Sequence, residues 1–188
     1  FSYTAAMEKK LDPQHLDVMS FARDAISLKG EGLLADWVRL ADEQWGSAMP
    51  AGPVVWALQG RVVPQSGGVD QIWLDLRASV NLPMQCQRCL TPVLETVHAE
   101  RSFRFVADEA TAAALDDEAE EDILVISRDF DALALVEDEL ILSLPLVPLH
   151  EVCPEAVPMS AVDPEFEVAA ERPNPFGVLA GLKTGKLQ

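Results

Sequence analysis

Two short stretches of this sequence carry side chains that bind soft metal ions. Cys86-Gln-Arg-Cys89 and His150-Glu-Val-Cys153 each separate their donors by two residues, and together they use all three cysteines of the chain. That spacing lets both members of a pair reach one ion, and three thiolates with one imidazole make a tetrahedral zinc set. Zinc held by Cys86, Cys89, His150 and Cys153 is therefore one expectation. The 60 residues between Cys89 and His150 far exceed the loop of a compact finger, so the fold must bring the pairs together. Two other readings stand beside it. Cys86 and Cys89 could act as a redox-sensing thiol pair, with Arg88 between them favouring thiolate. Alternatively they are two reduced thiols on a turn, unrelated to His150. A thioredoxin-like pair needs a helix amino terminus, whereas the flanking sequence predicts strands.

Those strands follow from period-two patterning. Ile72, Leu74, Leu76, Ala78, Val80 and Leu82 alternate with Trp73, Asp75, Arg77, Ser79 and Asn81. Beyond the cysteines, Val93, Val97, Ala99, Phe103 and Phe105 share one parity, and Thr96, His98, Glu100, Ser102 and Arg104 share the other. Cys86 and Cys89 thus lie at the tip of an antiparallel hairpin, with Pro83 and Pro92 just outside it. Residues 54–63 read as a further strand before the turn at 64–68, and 123–126 as a short apolar one. Helices are expected from Asp12-Pro13 through Phe21, and over 33–44, where Leu33, Leu34, Trp37, Val38 and Ala41 recur at helical spacing. The acidic stretch 108–122 suits an exposed loop or frayed helix. The predicted class is α+β, an antiparallel sheet with flanking helices. A single domain would occupy 7–157, and 158–188 would form a linker and a short helical docking segment.

A last helix is predicted after Asp131, ending at Pro145. On its wheel Glu137 falls among Leu133, Leu140 and Ile141, where a carboxylate needs a partner. Either a helix kink or local rim exposure lets that carboxylate reach water, or it forms an ion pair with Arg88 or Arg104 of the hairpin, in which case Glu137→Ala should destabilise more than Glu139→Ala.

Charge limits the functions open to the chain. Its formal net charge is −17, and residues 105–171 alone hold 19 acids against Arg128, a net of −18. That third of the chain either is a solvated acidic face kept for solubility or repels nucleic acid phosphates and attracts basic partners. No apolar run approaches the roughly 20 residues of a membrane-spanning helix, and the expected location is cytoplasmic. His15, His98 and His150 are the only histidines, and none belongs to a nucleophile elbow, a paired-histidine metal motif or a phosphate-binding glycine loop. No small-molecule substrate is evident, and the reading is of a non-enzyme.

The stretches CQRCL at 86–90, LVEDELILSLPLVPLH at 135–150 and RPNPFGVLAGLK at 172–183, with an acidic segment between the first two, resemble the YceD family of large ribosomal RNA subunit accumulation proteins. The resemblance covers nearly the whole chain. It implies a bacterial cytoplasmic protein, with plastid relatives, needed for synthesis, processing or stability of large-subunit ribosomal RNA, and it implies no known reaction. Members often carry additional cysteines near His150 to Cys153, arranged like the second half of a zinc site. This chain has one histidine and one cysteine there, in a shortened segment.

An acidic chain in a family concerned with RNA presents two mechanisms. In the first, a basic ribosomal protein or large-subunit assembly factor is held by Asp116, Asp117, Glu118, Glu120, Glu121 and Asp122, with Pro175, Phe176 and Leu179 as a docking stripe, so that RNA benefits indirectly. In the second, the chain touches ribosomal RNA itself through Arg61, Arg77, Arg88, Arg101 and Arg104, with Trp56 and Trp73 stacking on bases.

Overall fold

The computed structural model describes residues 11–46, 49–116 and 119–155. Five strands form one sheet in the order β1-β2-β3-β4-β5: β1 Ser27–Gly32, β2 Val54–Val63, β3 Gln71–Gln85, β4 Pro92–Val106 and β5 Asp122–Val125. The first three junctions are antiparallel, whereas β5 joins β4 in parallel. Helices α1 Val18–Arg23, α2 Val38–Asp42 and α4 Ala132–Leu142 cover one face, and α3 Glu109–Asp116 leads to β5. This is the α+β arrangement that the alternation of 72–82 and 93–105 required. No helix among the described residues is long and apolar enough to cross a membrane. Contacts divide the chain into Phe1–Cys153 and Pro154–Gln188. The expected docking segment, with Pro175, Phe176 and Leu179, lies outside the described residues, as do Asp117 and Glu118.

Each face of the sheet follows its parity. Leu74, Leu76, Ala78, Val80 and Leu82 of β3 pack with Val97, Ala99, Phe103 and Phe105 of β4 beneath Val18, Phe21, Leu40, Val136 and Leu140. On the opposite face Arg77, Asn81, Thr96, His98, Glu100 and Ser102 are exposed. Gly60 permits the closest approach: a Cβ there would stand 2.6 Å from the Phe21 carbonyl oxygen, so α1 rests directly on β2.

Three expectations are corrected and one strand is added. The helix expected from Asp12 starts later, because Asp12 caps only a turn through the Gln14 N–H and Leu16 is drawn into a bridge with Phe130. The α1 cap is Asp17, whose side chain accepts from the Ser20 N–H. Over 33–44 the helix breaks at Trp37, leaving a 3-10 turn Leu34–Asp36 and the short α2. Trp37 is buried in the core while Leu33 and Val38 face solvent, so burial of the indole overrides the helical stripe. Strand β1 was not anticipated, since its sequence SLKGEG offers one apolar side chain. Finally, Glu137 pairs with neither hairpin arginine. Its Oε2 accepts from Arg39 Nη2 at 2.9 Å, Arg104 pairs with Glu121, and Arg88 turns toward Cys153.

The Glu137 contact does more than balance charge. Trp37 supplies no side-chain cap to α2, and Glu137 Oε1 accepts the N–H of Arg39 at 2.9 Å and of Leu40 at 3.1 Å. A carboxylate from α4 therefore caps α2 across 97 residues of sequence. The buried carboxylate of α4 is instead Glu139, on the same stripe as Ala132, Val136 and Leu140.

Candidate metal centre

Residues 86–91 connect β3 to β4, and the turn is closed by the Leu90 N–H donating to the Cys86 carbonyl at 2.8 Å. Leu90 takes φ of +60°, which lets the chain re-enter β4 at Pro92. The turn carries Cys86 inward, where it is buried, and leaves Cys89 half-buried. Pro83, near the end of β3, and Pro92, which opens β4, flank the tip.

The second pair arrives on a strap. After α4 the chain runs without regular structure from Ser143, and the Gln87 N–H donates to the Pro148 carbonyl at 2.9 Å. This bond sets the strap against the hairpin tip. His150 then donates its backbone N–H to Cys86 Sγ at 3.5 Å. Its Nε2 lies 3.0 Å from the Pro92 carbonyl oxygen, an acceptor only, so Nε2 carries the proton. Nδ1 is left facing Cys89 Sγ at 3.4 Å. Arg88 Nη1 lies 3.9 Å from Cys153 Sγ.

The donor atoms of Cys86, Cys89, His150 and Cys153 all lie within 4.8 Å of one another. Zinc holds thiolate sulfur at about 2.3 Å, which separates tetrahedral donors by roughly 3.8 Å, so small side-chain movements would close these four on an ion. The imidazole also fits: a ligating histidine ordinarily donates its other ring N–H to a carbonyl, as Nε2 does to Pro92. Four protein donors leave no open coordination position, which is the pattern of a structural rather than a catalytic centre.

Electrostatics prepare the thiols for a cation. Burial works to raise the Cys86 thiol, but the N–H groups of His150, Cys89 and Arg88 outweigh it and bring the pKa down to about 5. The Thr91 hydroxyl, 3.1 Å from Cys89 Sγ, lowers that thiol as well. Hydrogen bonding to Cys86 holds His150 above its usual value, whereas desolvation raises Cys153. All three cysteines are free.

The hairpin arginines are differently disposed. Arg61 pairs with Asp75, Arg77 with Glu100, Arg101 with Glu139 and Arg104 with Glu121. The Arg61 guanidinium lies over the Trp73 ring at 4.5 Å, and Trp56 packs against the core beside Gly30. Among the acidic residues singled out above, Asp122 opens β5, and Glu121 precedes it beside Arg104. Sequence reasoning missed the pairing of Glu139 with Arg101 across α4 and β4, which no local pattern announces.

A long β-hairpin pinned at its tip by a Cys3His cluster, with helices on one sheet face, defines an α+β protein whose distinctive feature is a closed soft-metal donor set. The family model described as large ribosomal RNA subunit accumulation protein YceD matches residues 74–183, and the chain belongs to that family. A protein of that name from Haemophilus influenzae is 37% identical over 111 residues, which cover 57% of this chain and 63% of the relative. The chain thus spans somewhat less than two thirds of that relative's length. No solved structure matches.

Proposed function

We propose that this chain supports accumulation of large-subunit ribosomal RNA as a non-catalytic binding factor, by holding a basic ribosomal protein or assembly factor in the cytoplasm. The name of the family describes an RNA accumulation protein and no enzyme. The observation that carries the reading is the placement of charge: a net of −18 over residues 105–171 against +1 over the remainder. Such a segment attracts arginine- and lysine-rich chains and repels phosphate. Asp116, Asp117, Glu118, Glu120, Glu121 and Asp122 would form the contact, assisted by Pro175, Phe176 and Leu179. Zinc on Cys86, Cys89, His150 and Cys153 would be structural, tying the strap to the hairpin.

Direct RNA binding by the hairpin is the weaker reading, for a physical reason. Arg61, Arg77, Arg101 and Arg104 are each already paired with a carboxylate, so a phosphate would have to displace an acid at these four positions, and Arg88 alone of the five faces a thiol instead. One face of the Trp73 ring is already taken by the Arg61 guanidinium. A redox-sensing role for Cys86 and Cys89 lacks the helix terminus such pairs use.

The test is a pull-down of tagged protein from growing cells, with and without ribonuclease. A basic protein retained after nuclease supports the proposal, and its retention should become weaker and less salt-sensitive when the acids of 116–122 are neutralised. Precursor ribosomal RNA held directly, with every protein lost to nuclease, would reverse it.

A further inference from the structure

The carboxyl end of α4 is a ridge between two grooves. On one side Trp45, Met84, Ile141, Leu142, Leu144 and Leu146 line a depression of about 570 Å³, in which Glu43 is the charged lining residue. On the other side Ile141 and Leu142 recur with Leu124 and Leu135 around about 640 Å³, where Asp122, Asp138 and Glu139 face the space beside Arg39. The ridge is fully accessible: Leu142 is 74% exposed, and Leu146, on the strap that leads to His150, is 99% exposed. Contiguous exposed apolar side chains of this size mark interaction surfaces.

The second groove is acidic, and its buried carboxylate is only partly satisfied. Glu139 is 6% exposed, and its Oε2 accepts no hydrogen bond. Arg101 Nε pairs with that oxygen ionically at 3.3 Å but without hydrogen-bond geometry, while Arg39 is committed to Glu137 and Asp138. A buried carboxylate oxygen without a donor is costly, and a donor brought by a partner removes that cost. Residues 129–153 hold six acids and no lysine or arginine, so the surroundings favour a positive partner.

We infer that the two grooves form one docking surface for a segment of a basic protein. A large apolar side chain enters the groove of Trp45 and Leu146. An arginine or lysine near it crosses Leu142 to the carboxylates of Asp122 and Glu139. This rests on the protein-client reading above and gives that client a surface around the end of α4. The hairpin-tip cluster contributes by fixing the strap that presents Leu146.

A photoreactive residue placed at Leu142 in the full chain, with another at Val69 as control, tests the assignment. Val69 is 90% exposed in the β2–β3 turn. The probe is the total protein extracted from large ribosomal subunits, freed of RNA. The expected result is an adduct at position 142 with a protein of basic isoelectric point and none at position 69. Leu146→Ser, at a fully exposed position that folding does not need, should weaken capture about tenfold at every salt concentration. If the pull-down retains a nuclease-resistant basic client but position 142 gives no adduct, this surface is wrong and the client reading stands. An adduct to a second copy, to residues 176–182 of the same chain, or to RNA would overturn the inference, as would an adduct indifferent to Leu146→Ser. If no basic client is retained at all, both readings fall together.

Discussion

Removing the Glu137 side chain should cost α2 its amino-terminal cap. In Glu137→Ala the N–H groups of Arg39 and Leu40 lose an acceptor at 2.9 and 3.1 Å, beside a junction with no other side-chain cap. Loss of a cap costs about 1–2 kcal/mol. The ion pair with Arg39 adds little, because the guanidinium is 53% exposed and screened. The loss is therefore about 1–2 kcal/mol, which for a chain of this size lowers Tm by roughly 2–8 °C. Thermal and urea unfolding of three variants separates the contributions. Glu137→Gln keeps one acceptor oxygen and should lose about half as much. Arg39→Ala keeps its backbone N–H and should lose only the ionic part. The capping argument fails if Glu137→Ala is no less stable than Arg39→Ala. Glu139→Ala should be milder than Glu137→Ala, since it removes a carboxylate whose burial is itself unfavourable and frees Arg101 to water.

Other consequences can be measured on the same samples. Desolvation raises the Glu139 carboxyl against the pull of Arg101, so the folded chain binds that proton more readily than the unfolded one. Stability attributable to it is therefore highest at low pH and falls as pH rises from 4.5 through the raised folded value; Glu139→Gln should flatten that part of the curve, and an unaltered slope would count against it. For zinc, metal content and a cobalt-substituted spectrum report occupancy. Releasing the cross-link between Cys89 and His150, 61 residues apart, should remove about 4 kcal/mol by chain entropy, or roughly 8–16 °C of Tm. Equal melting in zinc and in chelator would exclude a structural metal. Gly60→Ala would set a methyl 2.6 Å from the Phe21 carbonyl and 2.8 Å from Ala22 Cα, both backbone atoms of α1 that cannot simply rotate away. It should destabilise by about 1–3 kcal/mol, and a variant as stable as its parent would rule out this seat of α1 on β2.

The sequence by itself determined the features that repeat along the chain. Alternation in 72–82 and 93–105 identified the two long strands and set Cys86 and Cys89 between them, because a period of two puts every second side chain on one face. Donor chemistry at Cys86, Cys89, His150 and Cys153 was legible for a similar reason: few residue types bind soft metals, and two-residue spacing is short enough to read. Tertiary structure decided whatever depends on pairing across distance. Whether His150 meets Cys89 rests on the strap and on the Gln87 to Pro148 hydrogen bond, which no local pattern specifies. The partner of Glu137 could not be read either. The helical wheel placed its carboxylate in the middle of an apolar face, but the available cation came from α2, whose Arg39 is 98 residues away in sequence. Strand β1 escaped notice because SLKGEG has little apolar content, and it becomes a strand by borrowing the ladder of β2. Local chemistry and periodicity are encoded residue by residue; which groups finally meet is settled by the packing of the whole chain, where a buried donor or acceptor takes the nearest partner the fold supplies.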